Sequence, residues 1–324
     1  MSASEPWRPT ASLPALRLRA ELLAATRSFF SQRGVLEVDT PALVRHAVTD
    51  RHIHCARVEL PGHGASLYLH SSPEYAMKRL LAAGSGDIFQ IAHVFRGNEE
   101  SRWHNAEFTL IEWYRCGYSM GELMAELAQL TQDLLGLPDG TPVESLRYSQ
   151  AFERELGIDP LSAHDGALRS LAIEHRLDRR VAETCSRDEL LDWLMGSAVG
   201  PRLGAAGLSF VHHYPASQAA LARLDPADPS VALRFELYCR GVELANGFEE
   251  LGDQAQQRAR FELDRRQRER AGLSAPALDE ALLSALAAGL PAVSGVALGF
   301  DRVLMLRLGA AHIEQVLAFP LERA

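Results

Sequence analysis

The segment Phe95-Arg96-Gly97-Asn98-Glu99-Glu100-Ser101-Arg102-Trp103-His104-Asn105-Ala106-Glu107-Phe108 constrains this chain more than any other. Apolar runs flank it, from Ile88 to Phe95 and from Phe108 to Tyr114, so it reads as a polar loop between two strands. That loop gathers arginines, an asparagine, a histidine and an aromatic ring. Arginine forks bind phosphate oxygens bidentately, and a phenyl ring at Phe108 can lie on a purine face. Such a set suits gripping a nucleoside triphosphate. Singly, each residue has a plainer reading: a solvated charge for an arginine, core for Phe108. A second element near the far end, Ser294-Gly295-Val296-Ala297-Leu298-Gly299-Phe300-Asp301-Arg302-Val303-Leu304-Met305-Leu306, reads as a Gly-rich strand running into a helix that carries another arginine.

The rest of the chain alternates helix and strand. Leu16, Ala20, Leu23 and Phe30 recur at helical spacing, and Gly34 stands where a C-terminal cap belongs. Val35 to Val38 then reads as a short strand stopped by Pro41. Leu67 to Leu69 predicts a strand leading into Ser72-Pro73-Glu74, where Ser72 can cap a helix bearing Met77, Leu80 and Leu81. Ser119 with Glu122 makes a capping box before Leu123, Leu127, Leu130 and Leu134, with Gly136 closing the helix. From Gln150 to Gly200 the pattern is helical and polar, with a further capping box at Ser186 and Glu189, and reads as an insertion. Strand character returns at Phe210 to Tyr214, Ala232 to Tyr238 and Gly241 to Phe248, with Asn246-Gly247 expected as a tight turn or bulge. The order predicts an α+β domain around a mostly antiparallel sheet. A single domain over 1–324, with its helical insertion at about 150–200, is expected.

Composition fits a soluble globular enzyme: 324 residues, 47% hydrophobic and 23% charged, enough for one large core or two modest ones. The net charge of −9 lacks the basic excess of a protein that neutralises many nucleic-acid phosphates. Cys55, Cys116, Cys185 and Cys239 form no Cys-x-x-Cys pair, so neither a zinc knuckle nor a disulfide framework is suggested and a reducing cytoplasm is expected. No apolar stretch marks a signal peptide or a membrane span.

With these elements in order, the chain resembles the catalytic domain of class II aminoacyl-tRNA synthetases of the lysyl type. The first motif would be the helix from Leu16 to Arg33 followed by Gly34-Val35-Leu36-Glu37-Val38-Asp39-Thr40-Pro41. The 95–108 segment continued through Glu112-Trp113-Tyr114 would be the second, and Gly299 with Asp301-Arg302 the third. Ser72-Pro73-Glu74 and Gly241-Val242-Glu243-Leu244-Ala245-Asn246-Gly247-Phe248-Glu249-Glu250 are typical of the lysyl branch. The first motif begins about fifteen residues from Met1, so an anticodon-binding barrel is not expected. That layout, with Gly-Val-Ala-Leu-Gly in the third motif, is similar to the elongation factor P β-lysine ligases.

The resemblance implies a class II synthetase-like antiparallel sheet flanked by helices, ATP and Mg2+ as cofactors, β-lysine as substrate, and elongation factor P as the acceptor protein. A homodimer built on the first motif is implied, with no tRNA and no membrane. Arg96 and Arg302 are the expected catalytic residues. ATP would be held by Arg96, Gly97, Asn98, Glu99, His104, Asn105, Phe108, Glu243, Leu244, Gly299 and Arg302, with Phe108 stacked on adenine and Arg302 over its other face. The amino acid would meet Ser72, Pro73, Glu74, Glu112, Tyr114, Glu250 and Ala297, since carboxylates match the ammonium groups of a diamino acid. Glu243 and Glu250 would share magnesium with the phosphates; outside the motif such a pair reads as a polar strand face. The family pattern is Arg-x-Glu, whereas Arg96 is followed by Gly97, Asn98 and then Glu99. Either Asn98 replaces the adenine-reading carboxylate or the loop shifts by one residue.

Two alternatives stay open: a lysine ligase acting on RNA or another carrier, and a non-catalytic regulatory paralogue. His52, His54 and Cys55 lack a third and fourth metal ligand on their strand face and read as surface residues. The arginines from Arg258 to Arg270 could dock an acidic protein, but interspersed Glu262, Asp264 and Glu269 make a solvated face.

Overall fold

The computed structural model describes residues 7–62, 66–97 and 101–324; Asn98 and Glu99, two expected nucleotide contacts, lie outside the described residues. The chain divides into two compact units. The first comprises Met1–Tyr118, Gln129–Gly136 and Gly252–Ala324, and the second Ser119–Ala128 and Leu137–Leu251.

The first unit opens with α1 (Leu13–Ser31), capped by Ser12, whose hydroxyl accepts from the Ala15 N–H at 3.3 Å. Gly34 leaves the helix at φ +68°, a left-handed conformation that glycine adopts without steric penalty. Next comes β1 (Leu36–Glu37), which pairs in parallel with β5 (Ile88–Phe95). Strand β5 pairs antiparallel with β6 (Glu107–Cys116), and β6 with β11 (Val293–Gly299). A small second sheet joins β2 (Leu43–Val44), β4 (Leu67–Leu69) and β3 (Arg57–Val58) in that order. Helix α2 (Glu74–Ala82) lies against α9 (Glu280–Gly289), which also meets α8 (Gln254–Arg270).

Successive residues of a strand face opposite ways, and β6 uses both faces. Trp113 points toward α1, with Phe30 5.2 Å from Trp113 and stacked at 4.5 Å on Phe89. The alternate set, Phe108, Leu110, Glu112 and Tyr114, faces the other way; there Tyr114 packs with Met77 and Leu81 of α2. This second face carries the chemistry. Helix α10 (Phe300–Leu308) follows β11 directly, with Gly299 at its cap.

The second unit begins in α3 (Met120–Leu135), whose last turns belong to the first. The expected capping box is formed: the Ser119 N–H donates to Glu122 at 2.8 Å, and the Glu122 N–H to the Ser119 hydroxyl at 3.3 Å. Strands β10 (Val242–Glu249), β9 (Val231–Cys239), β8 (Leu208–Pro215) and β7 (Val143–Arg147) lie in that order, antiparallel except for the parallel pair β7–β8. Four helices follow β7, α4 (Tyr148–Leu156), α5 (Asp165–Glu174), α6 (Arg179–Thr184) and α7 (Arg187–Leu194), the last with a capping box at Ser186 and Glu189. Their Tyr148, Phe152 and Leu190 form a core with Val211 and Tyr238 of the strands. The tight turn lies at Arg240-Gly241, φ +50° and +74°, rather than at Asn246-Gly247. Asn246 and Gly247 sit within β10 opposite Glu236 and Phe235, and the register slips earlier, between Glu243 and Ala245. All four cysteines are free thiols, and no described helix is long and apolar enough to cross a membrane.

Candidate active site

The β5–β6 hairpin of the first unit holds Arg96 at the foot of its loop. The Arg96 N–H donates to the Ala106 carbonyl at 2.9 Å, and the Gly97 N–H to the His54 carbonyl at 2.7 Å, so the entry to the loop is pinned on both sides. The Arg96 guanidinium lies 5.2 Å from the centre of the Phe108 ring. Its Nε is buried with no acceptor among the described residues. A fixed guanidinium against an aromatic face is a ready anion site.

Across the hairpin mouth, Arg302 in the first turn of α10 donates to His104 Nε2 at 2.5 Å, and His104 Nδ1 meets the Ser101 hydroxyl at 2.7 Å. An imidazole that accepts at Nε2 carries its proton on Nδ1. Burial, then the charges of Arg302 and Arg96, lower the His104 pKa to about 4, so the ring is neutral and adds no charge to the cradle. Asn105 is engaged locally: its amide donates to the Glu107 carbonyl at 2.7 Å and accepts from the Leu321 N–H at 3.4 Å.

Arg302 owes its position to a contact that sequence reasoning left without a role. The Asp301 carboxylate is buried; one oxygen accepts from Arg19 of α1 at 2.5 Å and the other from the Thr109 N–H of β6 at 2.6 Å. Arg19 also donates to the Thr109 hydroxyl at 2.6 Å. This joint fixes α10 against β6, and with it the direction of Arg302.

On the same β6 face, Ser72, Glu74, Glu112 and Tyr114 come together. The Ser72 hydroxyl donates to Glu112 at 2.7 Å and accepts from the Glu74 N–H at 2.9 Å, while the Tyr114 hydroxyl donates to the other Glu112 oxygen at 2.8 Å. Pro73 sets the start of α2, so Ser72 and Glu74 reach the strand together. Burial, reinforced by the Glu74 charge, raises the Glu112 pKa to about 7. Lys78, one helical turn on, contacts Glu74 at 2.6 Å. Ala297 stands opposite Glu112 in the β6–β11 pairing. Two carboxylates and a phenol on one wall can take up the ammonium groups of a diamino acid.

In the second unit, Glu243 lies opposite Tyr238 and Asn246 opposite Glu236. Behind them Glu236 accepts from Arg234 at 2.5 Å and from the Tyr238 hydroxyl at 2.6 Å, and Arg234 lies 4.3 Å from the Tyr214 ring. Leu244 is buried at the register slip, and Glu250 is buried beside its bridge partner Ala222. The Asn246 Oδ1 is a buried acceptor with no donor among the described residues. Glu243, Glu250 and this amide oxygen are hard donors of the kind magnesium takes. Among the described residues no three His, Cys, Asp or Glu side chains converge to hold a metal. His52, His54 and Cys55 form no such cluster either.

A family model described as tRNA synthetases class II (D, K and N) matches residues 7–323. The chain belongs to that family. It is also 49% identical over 328 residues to proteins named elongation factor P–(R)-β-lysine ligase from Salmonella dublin, Salmonella paratyphi B and Salmonella heidelberg, with 100% of each chain covered. Membership bears out the expected α+β class, and the matched span takes in both the 95–108 hairpin and the Gly299–Arg302 strand-to-helix junction.

Proposed function

We propose that this class II synthetase relative is a ligase that activates (R)-β-lysine with ATP and transfers it to a lysine ε-amine of elongation factor P. The observation that carries this is the shared wall of β6: Glu112 and Tyr114 face the same way as Phe108, which lies against Arg96. A diamino-acid pocket thus adjoins a nucleotide cradle on one strand. The full-length likeness to proteins bearing the ligase name supports the same reading.

In the first step the amino-acid carboxylate attacks the α-phosphorus of ATP, forming an acyl-phosphate bond and releasing pyrophosphate. Two anions must meet, so fixed cations carry much of the catalysis. Arg96 takes the α-phosphate and the carboxylate, Phe108 the adenine, and Arg302 the other face of that base. Glu74, Glu112 and Tyr114 hold the ammonium groups. Glu243 and Glu250 are the ligands assigned to magnesium, which would neutralise the phosphates. In the second step a neutral ε-amine attacks the acyl carbon, AMP leaves, an amide forms and the amine proton is lost. A cytoplasmic homodimer that uses no tRNA completes the proposal.

The test is to incubate the protein with ATP, each lysine isomer and purified elongation factor P, and to weigh the factor intact. A gain of one β-lysyl residue is expected. An unchanged mass, or lysylation of tRNA in a parallel assay, overturns the assignment.

A further inference from the structure

Among thirty-two arginines the chain contains a single lysine, Lys78. Only 2% of it is exposed, on the inner side of α2, and its ammonium meets the Glu74 carboxylate at 2.6 Å. A buried ammonium carries a desolvation penalty of several kcal/mol and persists only where a partner offsets it. Everywhere else the sequence places its side-chain positive charge on guanidinium groups. At this one buried place it has a compact point charge on a flexible stem, where a planar five-donor fork would demand more acceptors.

The surroundings say what that charge balances. Glu74 and Glu112 are joined through Ser72, whose hydroxyl contacts both residues. Glu112 is further bonded by Tyr114. On the strands paired with β6, the residues opposite Glu112 are Gln90, which accepts from Thr40, and Ala297; neither carries charge. Lys78 is a positive charge beside two neighbouring carboxylates, and it favours the ionised form of Glu112. The i,i+4 spacing of Glu74 and Lys78 also supports the helix, but an ordinary surface pair of that kind contributes only about 0.3–0.5 kcal/mol and does not call for burial.

We propose that Lys78 is a positioning residue of the diamino-acid pocket: its ammonium fixes the Glu74 carboxylate in place and supplies positive charge that favours an ionised Glu112 beside it before the substrate arrives. This rests on the reading of that wall as the diamino-acid site. Without Lys78 the charge that favours an ionised Glu112 is gone, and the incoming ammonium meets a weaker negative wall.

The test starts from the wild type, which must exchange pyrophosphate into ATP only when β-lysine is present; if it does not, the functional proposal fails and this one is not at issue. Given that activity, Lys78→Met is expected to raise the KM for β-lysine at pH 7 by about tenfold or more, the equivalent of one pKa unit on the pair, while the KM for ATP stays within about twofold. The deficit in kcat/KM relative to wild type should narrow as pH rises from about 7 to about 8.5, because the lost positive charge matters less once Glu112 is ionised. A deficit equal at every pH, or shared by ATP, indicates a merely structural lysine and overturns the proposal. A second measurement does not depend on the variant folding. Wild-type protein grown with 13Cε-lysine carries one lysine side-chain signal, and unlabelled β-lysine should shift it at saturation. A signal unmoved by β-lysine in the active enzyme also overturns the proposal.

Discussion

Ala297 of β11 stands directly across from Glu112 of β6, and its methyl packs against the buried cluster of Ala92, Val94 and Leu110. Lysyl-type relatives are expected to have glycine at this position. A methyl here crowds an α-amino group more than one moved to the β-carbon. One methylene-sized difference is worth about 1–3 kcal/mol, or roughly 10–200-fold in discrimination. Ala297→Gly should therefore improve activation of α-lysine relative to β-lysine within that range. Comparing kcat/KM for the two isomers in both proteins checks this; an unchanged ratio removes Ala297 from the specificity argument.

Arg96 is held by its backbone on one side and by the Phe108 ring on the other, so its guanidinium is fixed before nucleotide binds. Arg96→Ala should slow β-lysine-dependent pyrophosphate exchange by roughly 100-fold or more, about 3 kcal/mol, as for loss of one preorganised donor to developing charge. The thermal melt should move little, since among the described residues the guanidinium makes one long hydrogen bond, 3.5 Å to the Ser71 carbonyl. An exchange rate within about twofold of wild type would contradict its catalytic role.

The Arg19–Asp301 contact predicts stability instead. Asp301 is 2% exposed and satisfies both Arg19 and the Thr109 N–H. Asp301→Ala strands a guanidinium and a backbone donor, a loss expected at about 3–5 kcal/mol. Replacing both partners with apolar residues, Arg19→Met with Asp301→Leu, should recover part of it, because no charge is then left unpaired. Urea unfolding of the three proteins measures this, and equal midpoints for wild type and Asp301→Ala would show that the joint contributes nothing.

The hairpin of the nucleotide cradle was legible in sequence because its strands are apolar, continuous and adjacent: the expected Ile88 to Phe95 strand is the observed β5. The capping boxes at Ser119 and Ser186 were equally clear, since each is complete within four residues. What escaped notice was long-range or conformationally unusual. The Arg19–Asp301 pair joins residues 282 positions apart and leaves no periodic trace. Strand β7 alternates exposed and half-buried residues and pairs in parallel with β8, so no hairpin announces it. The Arg240-Gly241 turn puts an arginine at positive φ, where asparagine or aspartate would have given the usual signal, and Asn246-Gly247 mimicked that signal inside a strand. Lys78 is a polar residue in a helix whose apolar positions carry the periodic signal, and its spacing holds no mark of its burial.

Glu243 and Glu250 are the ligands proposed for magnesium, an ion bound at ATP sites by one or two carboxylates plus substrate phosphates, so metal and nucleotide should bind together. Glu243→Gln removes one charge while keeping the shape. It should raise the magnesium concentration needed for half-maximal pyrophosphate exchange several-fold and leave the urea midpoint in place. A magnesium titration that overlays the wild type would count against Glu243 as a ligand.

His104 links the cradle to acid stability. Its folded pKa is lowered to about 4, from an ordinary 6.5, chiefly by burial and then by Arg302 and Arg96. Between those values the unfolded chain binds the proton more readily than the folded one, so the contribution of this residue to stability falls as pH drops from 6.5 toward 4 and is level above 6.5. His104→Gln cannot titrate there, yet its carbonyl can still accept from Arg302. Lowering the pH from 7.5 to 5 should therefore destabilise the wild type more than the variant, with other titrating groups common to both. Urea unfolding of both proteins at the two pH values gives the comparison. A wild-type-to-variant difference that is the same at pH 5 and pH 7.5 would mean that His104 is not held neutral by the cradle, and the assignment of its Nε2 as the acceptor for Arg302 would fall with it.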